Sequence, residues 1–209
     1  MRADWEPATV CLQSVVRLLS GLSIRRLKAC LAVALVGAAW SISVRPMAAD
    51  VPGEYDVKAA FILNFARFTE WPENSFADRS APLVIATVGD DPFGGTLERV
   101  IADKAINSHP LTVRKGTAAS DFKGVNVLFV SGSERSRAQE ILKRVKSASI
   151  LTVSDIDDFC TMGGIIHLTN EQQRIRFEVS LVAAQRAGLS ISSKLLGLAR
   201  KVYTEKGPQ

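Results

Sequence analysis

Residues 82–179 alternate short apolar runs with amphipathic helical patterns, and this alternation limits the fold more than any other feature of the chain. Three runs are almost continuously apolar, as is typical of strands buried on both faces: 82–88, 125–130 and 149–153. Between these runs, apolar residues recur at helical spacing over 93–101 and 138–145. Two further apolar segments, 165–168 and 174–179, flank a polar turn and predict a β-hairpin. We therefore predict an α/β fold, a single-domain layered sandwich with a mostly parallel central sheet and an antiparallel hairpin edge.

A first helix is predicted over residues 54–70, because apolar residues recur there every three or four positions until the Trp71-Pro72 pair ends the pattern. Glu54 and Lys58 stand four positions apart and are expected to form an ion pair on this helix. The face expected to pack into the core carries these residues: Val57, Phe61, Phe65 and Phe68.

Two more helices are predicted near the C-terminus. The first spans residues 181–187 and stops at Gly188. The second restarts after Ser192-Ser193, with apolar residues at helical spacing as far as Val202.

The N-terminal 49 residues have the layout of a secretory signal behind a short extension. A basic cluster of Arg25, Arg26 and Lys28 precedes the uncharged, mostly apolar residues 29–44, and small residues follow up to Ala49. The apolar run is shorter than the ~20 residues that a membrane span needs, so an uncleaved anchor is the weaker alternative. We predict that residues 1–49 are an extension with a cleaved signal peptide, and that residues 50–209 form the exported domain.

Removal of the signal changes the charge balance. The chain has 26 basic and 21 acidic residues, of which six basic and two acidic ones precede residue 50, so the exported part keeps 20 and 19. A nearly neutral domain has no general electrostatic attraction to nucleic acid or to anionic lipid. We expect neither nucleic-acid binding nor direct membrane insertion after cleavage.

Cysteine use also changes at this boundary. Cys11 and Cys30 lie in the signal region, and Cys160 is the single cysteine of the exported part. An internal disulfide is therefore excluded in the mature protein. Cys160 has two candidate roles, a small apolar core residue or an exposed redox thiol that pairs with another chain.

One loop is a candidate site for a ligand or a protein partner. The segment 89–95 follows a predicted strand and precedes a predicted helix, a position where α/β folds often bind ligands. The residues expected to form the contact are Asp90, Asp91, Phe93 and Gly94. The alternative is a simple capped turn, in which Asp91 caps the helix and Pro92 occupies its first position. The loop lacks a phosphate-binding lysine and a GxGxxG pattern.

Other candidate chemistry is weaker. Asp155, Asp157 and Asp158 are acidic neighbours, but they lack the glycine and the final glutamate of a calcium loop. His167 is expected to point to solvent from its strand, and with Cys160 it would supply only part of a zinc site. We expect no enzyme activity, no metal and no cofactor.

A series of short motifs runs in order along residues 53–203. These are Glu54-Tyr55-Asp-Val-Lys-Ala-Ala-Phe61, Asn64-Phe65-Ala-Arg-Phe-Thr-Glu-Trp71-Pro72, Val88-Gly-Asp-Asp-Pro-Phe-Gly94, Val127-Leu-Phe-Val130, Leu151-Thr-Val-Ser-Asp155, Gly163-Gly164, Arg176-Phe-Glu178 and Ser192-Ser193-Lys194-Leu195-Leu196. Together, in this order, they resemble the YfiR family.

The resemblance implies a periplasmic regulatory protein without catalysis. Its expected partner is the periplasmic domain of a YfiN-type membrane diguanylate cyclase, or of another sensor, and its expected effect is to repress cyclic-di-GMP synthesis. The resemblance also implies a homodimer and redox control through disulfides, but a single mature cysteine cannot form internal ones. The alternative function is a periplasmic small-molecule-binding component of another sensory or transport system.

Overall fold

The computed structural model describes residues 52–117, 120–205 and 207–208. The predicted N-terminal extension and signal peptide, residues 1–49, lie outside the described residues, which all belong to one compact unit, Val51–Gln209. The helices are α1 (Glu54–Arg67), α2 (Thr96–Ile101), α3 (Ala138–Val145), α4 (Leu181–Arg186) and α5 (Ser193–Leu196), with 3₁₀ turns at Glu73–Ser75 and Gly132–Arg137. The strands are β1 (Thr69–Glu70), β2 (Leu83–Val88), β3 (Ala105–Ile106), β4 (His109–Gly116), β5 (Val127–Val130), β6 (Leu151–Ser154), β7 (Ile166–Glu171), β8 (Arg174–Ser180), β9 (Ser190–Ile191), β10 (Lys201–Thr204) and β11 (Gly207–Pro208).

The central sheet has nine strands in the order β11-β10-β8-β7-β6-β5-β2-β4-β3. Within this order, the five successive strands β7, β6, β5, β2 and β4 pair with one another in parallel, and β7 and β8 form the predicted antiparallel hairpin. These features confirm the predicted α/β class with a mostly parallel sheet. Two short strands extend the sheet beyond the hairpin, because β10 pairs parallel with β8 and then turns into β11.

Each face of the sheet carries its own apolar core, because successive residues of a strand point to opposite faces. On one face, Ile85 and Phe129 belong to a cluster with Phe65 of α1. On the other face, Leu128 belongs to a cluster with Ile141 of α3. The predicted apolar face of α3 is thereby confirmed, since all four of its members are buried: Ala138, Ile141, Leu142 and Val145.

Helix α1 differs from its prediction in length and in the face that it buries. It ends at Arg67, and Thr69 begins a strand instead, because β1 pairs antiparallel with β9. The fully buried face is turned relative to the predicted one, so Val57 and Phe61 are only partly buried. The buried residues of the helix are Lys58, Ala59, Ile62, Leu63, Phe65 and Ala66. The predicted Glu54–Lys58 ion pair is confirmed at 2.6 Å.

The C-terminal helix prediction is correct only in part. Helix α5 begins at Ser193 as expected but lasts for one turn, and β10 replaces the predicted helix around Val202. Val202 pairs with Val179 of β8, so the hydrogen bonds offered by the free edge of β8 override a helical spacing. Within the described part of the chain, no helix has both the length and the apolarity to cross a bilayer.

Candidate functional site

The carboxyl ends of β2, β5 and β6 meet at one edge of the parallel sheet. The chain leaves these strands at Gly89, Ser131 and Asp155, respectively. Strands β4 and β5 lie on opposite sides of β2, so the loop after β2 and the loop after β5 lead away from each other at this edge. This arrangement is where α/β folds commonly form a ligand crevice.

Side chains fill this crevice. Ser133, in the 3₁₀ turn after β5, accepts a hydrogen bond from the backbone N–H of Asp90 at 2.9 Å. A Cβ on Gly89 would lie 2.5 Å from Ser133 Oγ and 2.7 Å from Glu134 Cγ, and Gly89 has a positive φ of 92°. Glu134 is buried and receives two hydrogen bonds from Arg137, at 2.8 and 2.9 Å. The loop after β2 is therefore packed directly against the turn after β5.

Asp91 stabilises the loop from within. Its Oδ1 accepts the backbone N–H of Phe93 at 2.9 Å, and its Oδ2 lies 2.6 Å from Lys115 Nζ. Burial is the largest single influence and acts to raise the pKa of Asp91, but the hydrogen bonds from Lys115 and from the backbone N–H of Phe93, together with the charge of Lys115, outweigh it and lower the pKa. The capping alternative needs correction, because α2 begins at Thr96 rather than at Pro92. Asp91 caps a tight turn before the helix and not the helix itself.

The other members of the predicted loop site have different environments. Asp90 and Gly94 are exposed, and a Cβ on Gly94 would meet no atom within 4 Å. Phe93 is buried, with its ring centroid 4.8 Å from that of Phe129 and 5.5 Å from that of Tyr55. The loop is therefore anchored by Phe93 and presents Asp90 and Gly94 to solvent. Its role in ligand or partner binding stays a prediction.

A buried polar network adjoins this edge. Lys58 of α1 is only 3% exposed, and its Nζ lies 2.7 Å from Asp155 Oδ2. Tyr55 donates a hydrogen bond to the same oxygen at 2.9 Å. Glu54 accepts hydrogen bonds from Lys58 and, at 2.6 Å, from Asn170 of β7. The network joins the first turns of α1 to the end of β6 and to β7.

The network perturbs the protonation of its members. Burial alone would lower the pKa of Lys58, but hydrogen bonds to Asp155 and Glu54 outweigh burial and raise it. The hydrogen bond from Lys58 lowers the pKa of Glu54, while burial and the hydrogen bond to Asp155 raise the pKa of Tyr55. Lys58 and Glu54 are thus held in their charged forms and Tyr55 in its neutral form.

The sequence interpretation missed the burial of Lys58, although a signal for it exists. Lys58, Ile62 and Phe65 occupy positions i, i+4 and i+7 of α1, so they share one face of the helix. A charged residue on an apolar face indicates a buried ion pair or a site. The partner, Asp155, is almost one hundred residues away and could not be identified from spacing.

Cys160 lies in the core beneath the hairpin. The residue is 6% exposed, and its Sγ lies 3.6 Å from the carbonyl oxygen of Ile165 and 3.7 Å from that of Glu178. Burial, together with the nearby charge of Glu178, raises the pKa of the thiol to about 12. This placement favours the core role over the redox role, and the redox role itself stays a prediction.

His167 corrects the expectation that it points to solvent. It is 6% exposed, and its Nδ1 lies 3.5 Å from Oε2 of Glu178, which is also buried. Tyr203 of β10 donates a hydrogen bond to the same Glu178 oxygen at 3.0 Å. The pairing of β10 with β8 covers this side of the hairpin and removes His167 and Glu178 from solvent.

The acidic residues that resemble a calcium loop have separate partners. Asp155 binds Lys58, and Asp157 pairs with Arg135 at 3.1 Å near the surface. Asp158 lies in a turn with a positive φ of 61°, where its carbonyl accepts the Thr161 hydroxyl. Among the described residues, no group of three or more His, Cys, Asp or Glu side chains is arranged to hold a metal ion.

Comparison with known protein families agrees with the motifs of this chain. Residues 55–200 match the YfiR/HmsC-like family, a range that runs from the first turn of α1 almost to β10. The chain belongs to the YfiR/HmsC-like family. The match includes the crevice, the network except for Glu54, and the hairpin together with Cys160 just before it. Membership of the YfiR/HmsC-like family indicates a regulatory role rather than a catalytic one.

Proposed function

We propose that this YfiR/HmsC-like protein is a periplasmic repressor of a membrane diguanylate cyclase. In this proposal it binds the periplasmic domain of the cyclase and lowers the synthesis of cyclic-di-GMP. The observation that carries the proposal is the family match over residues 55–200, which spans most of the described domain. The predicted signal peptide, which covers residues 25–49 behind the N-terminal extension, supports the same compartment.

Repression by binding has a thermodynamic requirement. The protein must prefer the inactive conformation of the cyclase domain, because a ligand with equal affinity for both conformations shifts no equilibrium. Moving the cyclase from almost fully active to almost fully inactive needs a preference of about 10⁴-fold. A binding measurement on the active state alone would therefore underestimate the regulatory interaction.

The loop after β2 is our candidate for the contact with the cyclase. Asp90 and Gly94 are exposed there, while Asp91 and Phe93 hold the loop in shape through Lys115 and the core. A rigid loop loses little conformational entropy on binding, which favours its use as a contact. The proposal also includes a homodimer, which sedimentation equilibrium of the purified protein would test.

Deletion of the gene tests the repression directly. We expect cyclic-di-GMP and surface attachment to rise in the deletion strain and to return to normal when the full chain is restored. A chain that lacks residues 1–49 should remain in the cytoplasm and fail to complement. Unchanged cyclic-di-GMP under several growth conditions would contradict the proposal.

A second candidate is a periplasmic small-molecule-binding component of another sensory or transport system. A cavity of about 310 Å³ between α3 and α4 favours it. If the deletion leaves cyclic-di-GMP unchanged, and a periplasmic pull-down with mass spectrometry recovers a sensor kinase or a receptor, this second function replaces the first.

A further inference from the structure

A cavity of about 310 Å³ lies between α3 and α4, beside the starts of β6 and β7. Its volume is at the lower end of the range of small-molecule sites in proteins, roughly 300–1,000 Å³. It is remote in sequence from the loop after β2, which contributes none of its lining residues. The apolar walls include Leu142, Val145, Ile150, Met162, Ile165 and Ala183.

The charge around this cavity has one sign. Lys143, Lys146 and Arg186 line it and are exposed, whereas no acidic residue is among its lining residues. Within the described part of the chain, none of the three cations has a carboxylate within 4.0 Å. The C-termini of α3 and α4 offset at most about half a charge each. The three cations and the two helix C-termini together therefore leave a net charge of about +2 at the cavity.

The wall of the cavity also offers a buried hydrogen-bond donor. Thr152 is 3% exposed, and its Oγ1 accepts the backbone N–H of Ile165 at 3.0 Å. Its own hydroxyl proton has no acceptor among the described residues. The hydroxyl oxygen is already satisfied as an acceptor, so the hydroxyl can donate its proton to a ligand oxygen in this cavity without giving up a hydrogen bond.

We propose that this cavity binds a small amphipathic carboxylate. The apolar body of the ligand would occupy the space between Leu142 and Ala183. Its carboxylate would bind among Lys146, Arg186 and the hydroxyl of Thr152. An ammonium group would be repelled by the cations, and a large polyanion would exceed the volume. The site is separate from the contact proposed for the cyclase and is independent of it.

Isothermal titration calorimetry with 4-phenylbutyrate, on the protein purified from the periplasm, tests the proposal. Two probes with the same carbon skeleton serve as controls, the neutral 4-phenylbutan-1-ol and the cationic 4-phenylbutylamine. We expect saturable binding of the carboxylate, about tenfold weaker binding of the alcohol, and no binding of the amine, since a charge-assisted hydrogen bond changes affinity by about that factor. Equal or tighter binding of the alcohol or the amine, or no saturation by the carboxylate up to about 1 mM, would overturn the proposal.

Variants locate the binding within the molecule. The surface double variant Lys146→Gln with Arg186→Gln should weaken the carboxylate about tenfold or more and leave the alcohol unchanged. The matched control, Lys123→Gln with Arg174→Gln, removes the same charges from exposed positions outside the cavity and should change neither ligand. Ala183→Leu should fill the cavity and abolish binding of both ligands. If the Lys146→Gln, Arg186→Gln double variant binds the carboxylate as tightly as the matched control does, the proposed site is wrong, whatever the outcome of the cyclase experiments.

Discussion

The ammonium of Lys58 and the carboxylate of Asp155 lie 2.7 Å apart, although almost one hundred residues separate them in the chain. Lys58 is buried on α1, and Asp155 follows the last residue of β6. Their contact attaches the beginning of α1 to the carboxyl edge of the sheet, close to the loop that carries Asp90. The first helix and the edge loops therefore form one connected unit.

Replacing Lys58 by methionine should destabilise the protein strongly. The change leaves the mostly buried Asp155 carboxylate without its cation, which typically costs about 3–5 kcal/mol. Urea unfolding followed by circular dichroism measures the loss. The second change Asp155→Leu, made in the Lys58→Met background, should recover part of it, because the one carboxylate that still lacks its cation, that of Glu54, is exposed to solvent.

The matched control is the exposed pair of Arg135 and Asp157, whose side chains are 55% and 78% exposed. Arg135→Ala should cost less than about 1 kcal/mol, as is usual for surface ion pairs. A loss in Lys58→Met no larger than in Arg135→Ala would contradict the role given to the network.

Gly89→Ala should be destabilising, and more so than Gly94→Ala. Both glycines have positive φ, 92° and 55°, which costs a residue with a side chain about 1–2 kcal/mol. At Gly89 the new methyl group would also collide with Ser133 and Glu134, whereas at Gly94 it meets open space. Thermal unfolding of the two variants compares them directly. Equal decreases in melting temperature in the two variants would show that the turn after β5 can move to accommodate the methyl group, and that the crevice is not closely packed.

Cys160→Ser should keep the fold and the repression, with a modest loss of stability of about 1–2 kcal/mol from burying a hydroxyl in place of a thiol. The serine hydroxyl can still donate a hydrogen bond to the carbonyl oxygen of Ile165 or Glu178. Non-reducing gels of periplasmic extract provide the check. A disulfide-linked dimer that disappears in the variant, together with altered repression, would restore the redox role.

The thiol also gives the Cys160 experiment a pH dependence. The pKa of Cys160 is about 12 in the folded protein and 9.0 in the reference state, so the unfolded chain loses the proton first. The contribution of the neutral thiol is complete below about pH 9 and is lost as the pH rises towards 12. Above about pH 9, the free energy of unfolding of the wild type should therefore fall by about 1.4 kcal/mol per pH unit relative to that of Cys160→Ser. A difference that does not change with pH would show that the thiol is accessible to solvent.

Asp90→Lys should weaken repression without weakening the fold. Asp90 is exposed, and only its backbone N–H contacts Ser133, so reversal of its charge removes no internal bond. Cyclic-di-GMP in a complemented deletion strain is the readout, with thermal unfolding as a check on stability. The control is Glu140→Lys, because Glu140 is also exposed but lies on α3, away from the loop. Full repression by Asp90→Lys would remove the loop from the proposed contact.

Export should yield a mature N-terminus close to Asp50. The basic cluster, the uncharged run and the small residues before Asp50 are the basis of this expectation. N-terminal sequencing of the protein from a periplasmic fraction measures it. A soluble cytoplasmic protein that retains residues 25–49 would contradict the proposed compartment and, with it, the proposed partner.

Local pattern was enough to predict the central strands and the hairpin. Strands β2, β5 and β6 are buried on both faces, so their sequences are apolar at nearly every position and can be recognised without a partner. The same holds for α3, whose buried face repeats at helical spacing. The loop at residues 89–95 was predicted from its place between a strand and a helix, but the burial of Phe93 was not.

The sequence by itself determined the class of fold, the family and the absence of a disulfide within residues 50–209, since each depends on local composition or order of motifs. Tertiary structure alone decided which face of α1 is buried, that Lys58 meets Asp155, and that residues 201–204 form a strand. These outcomes depend on partners far along the chain. The Lys58–Asp155 ion pair forms only because the end of β6 lies beside α1, and β10 forms only because the edge of β8 is open. Neither partner can be identified from local residue spacing.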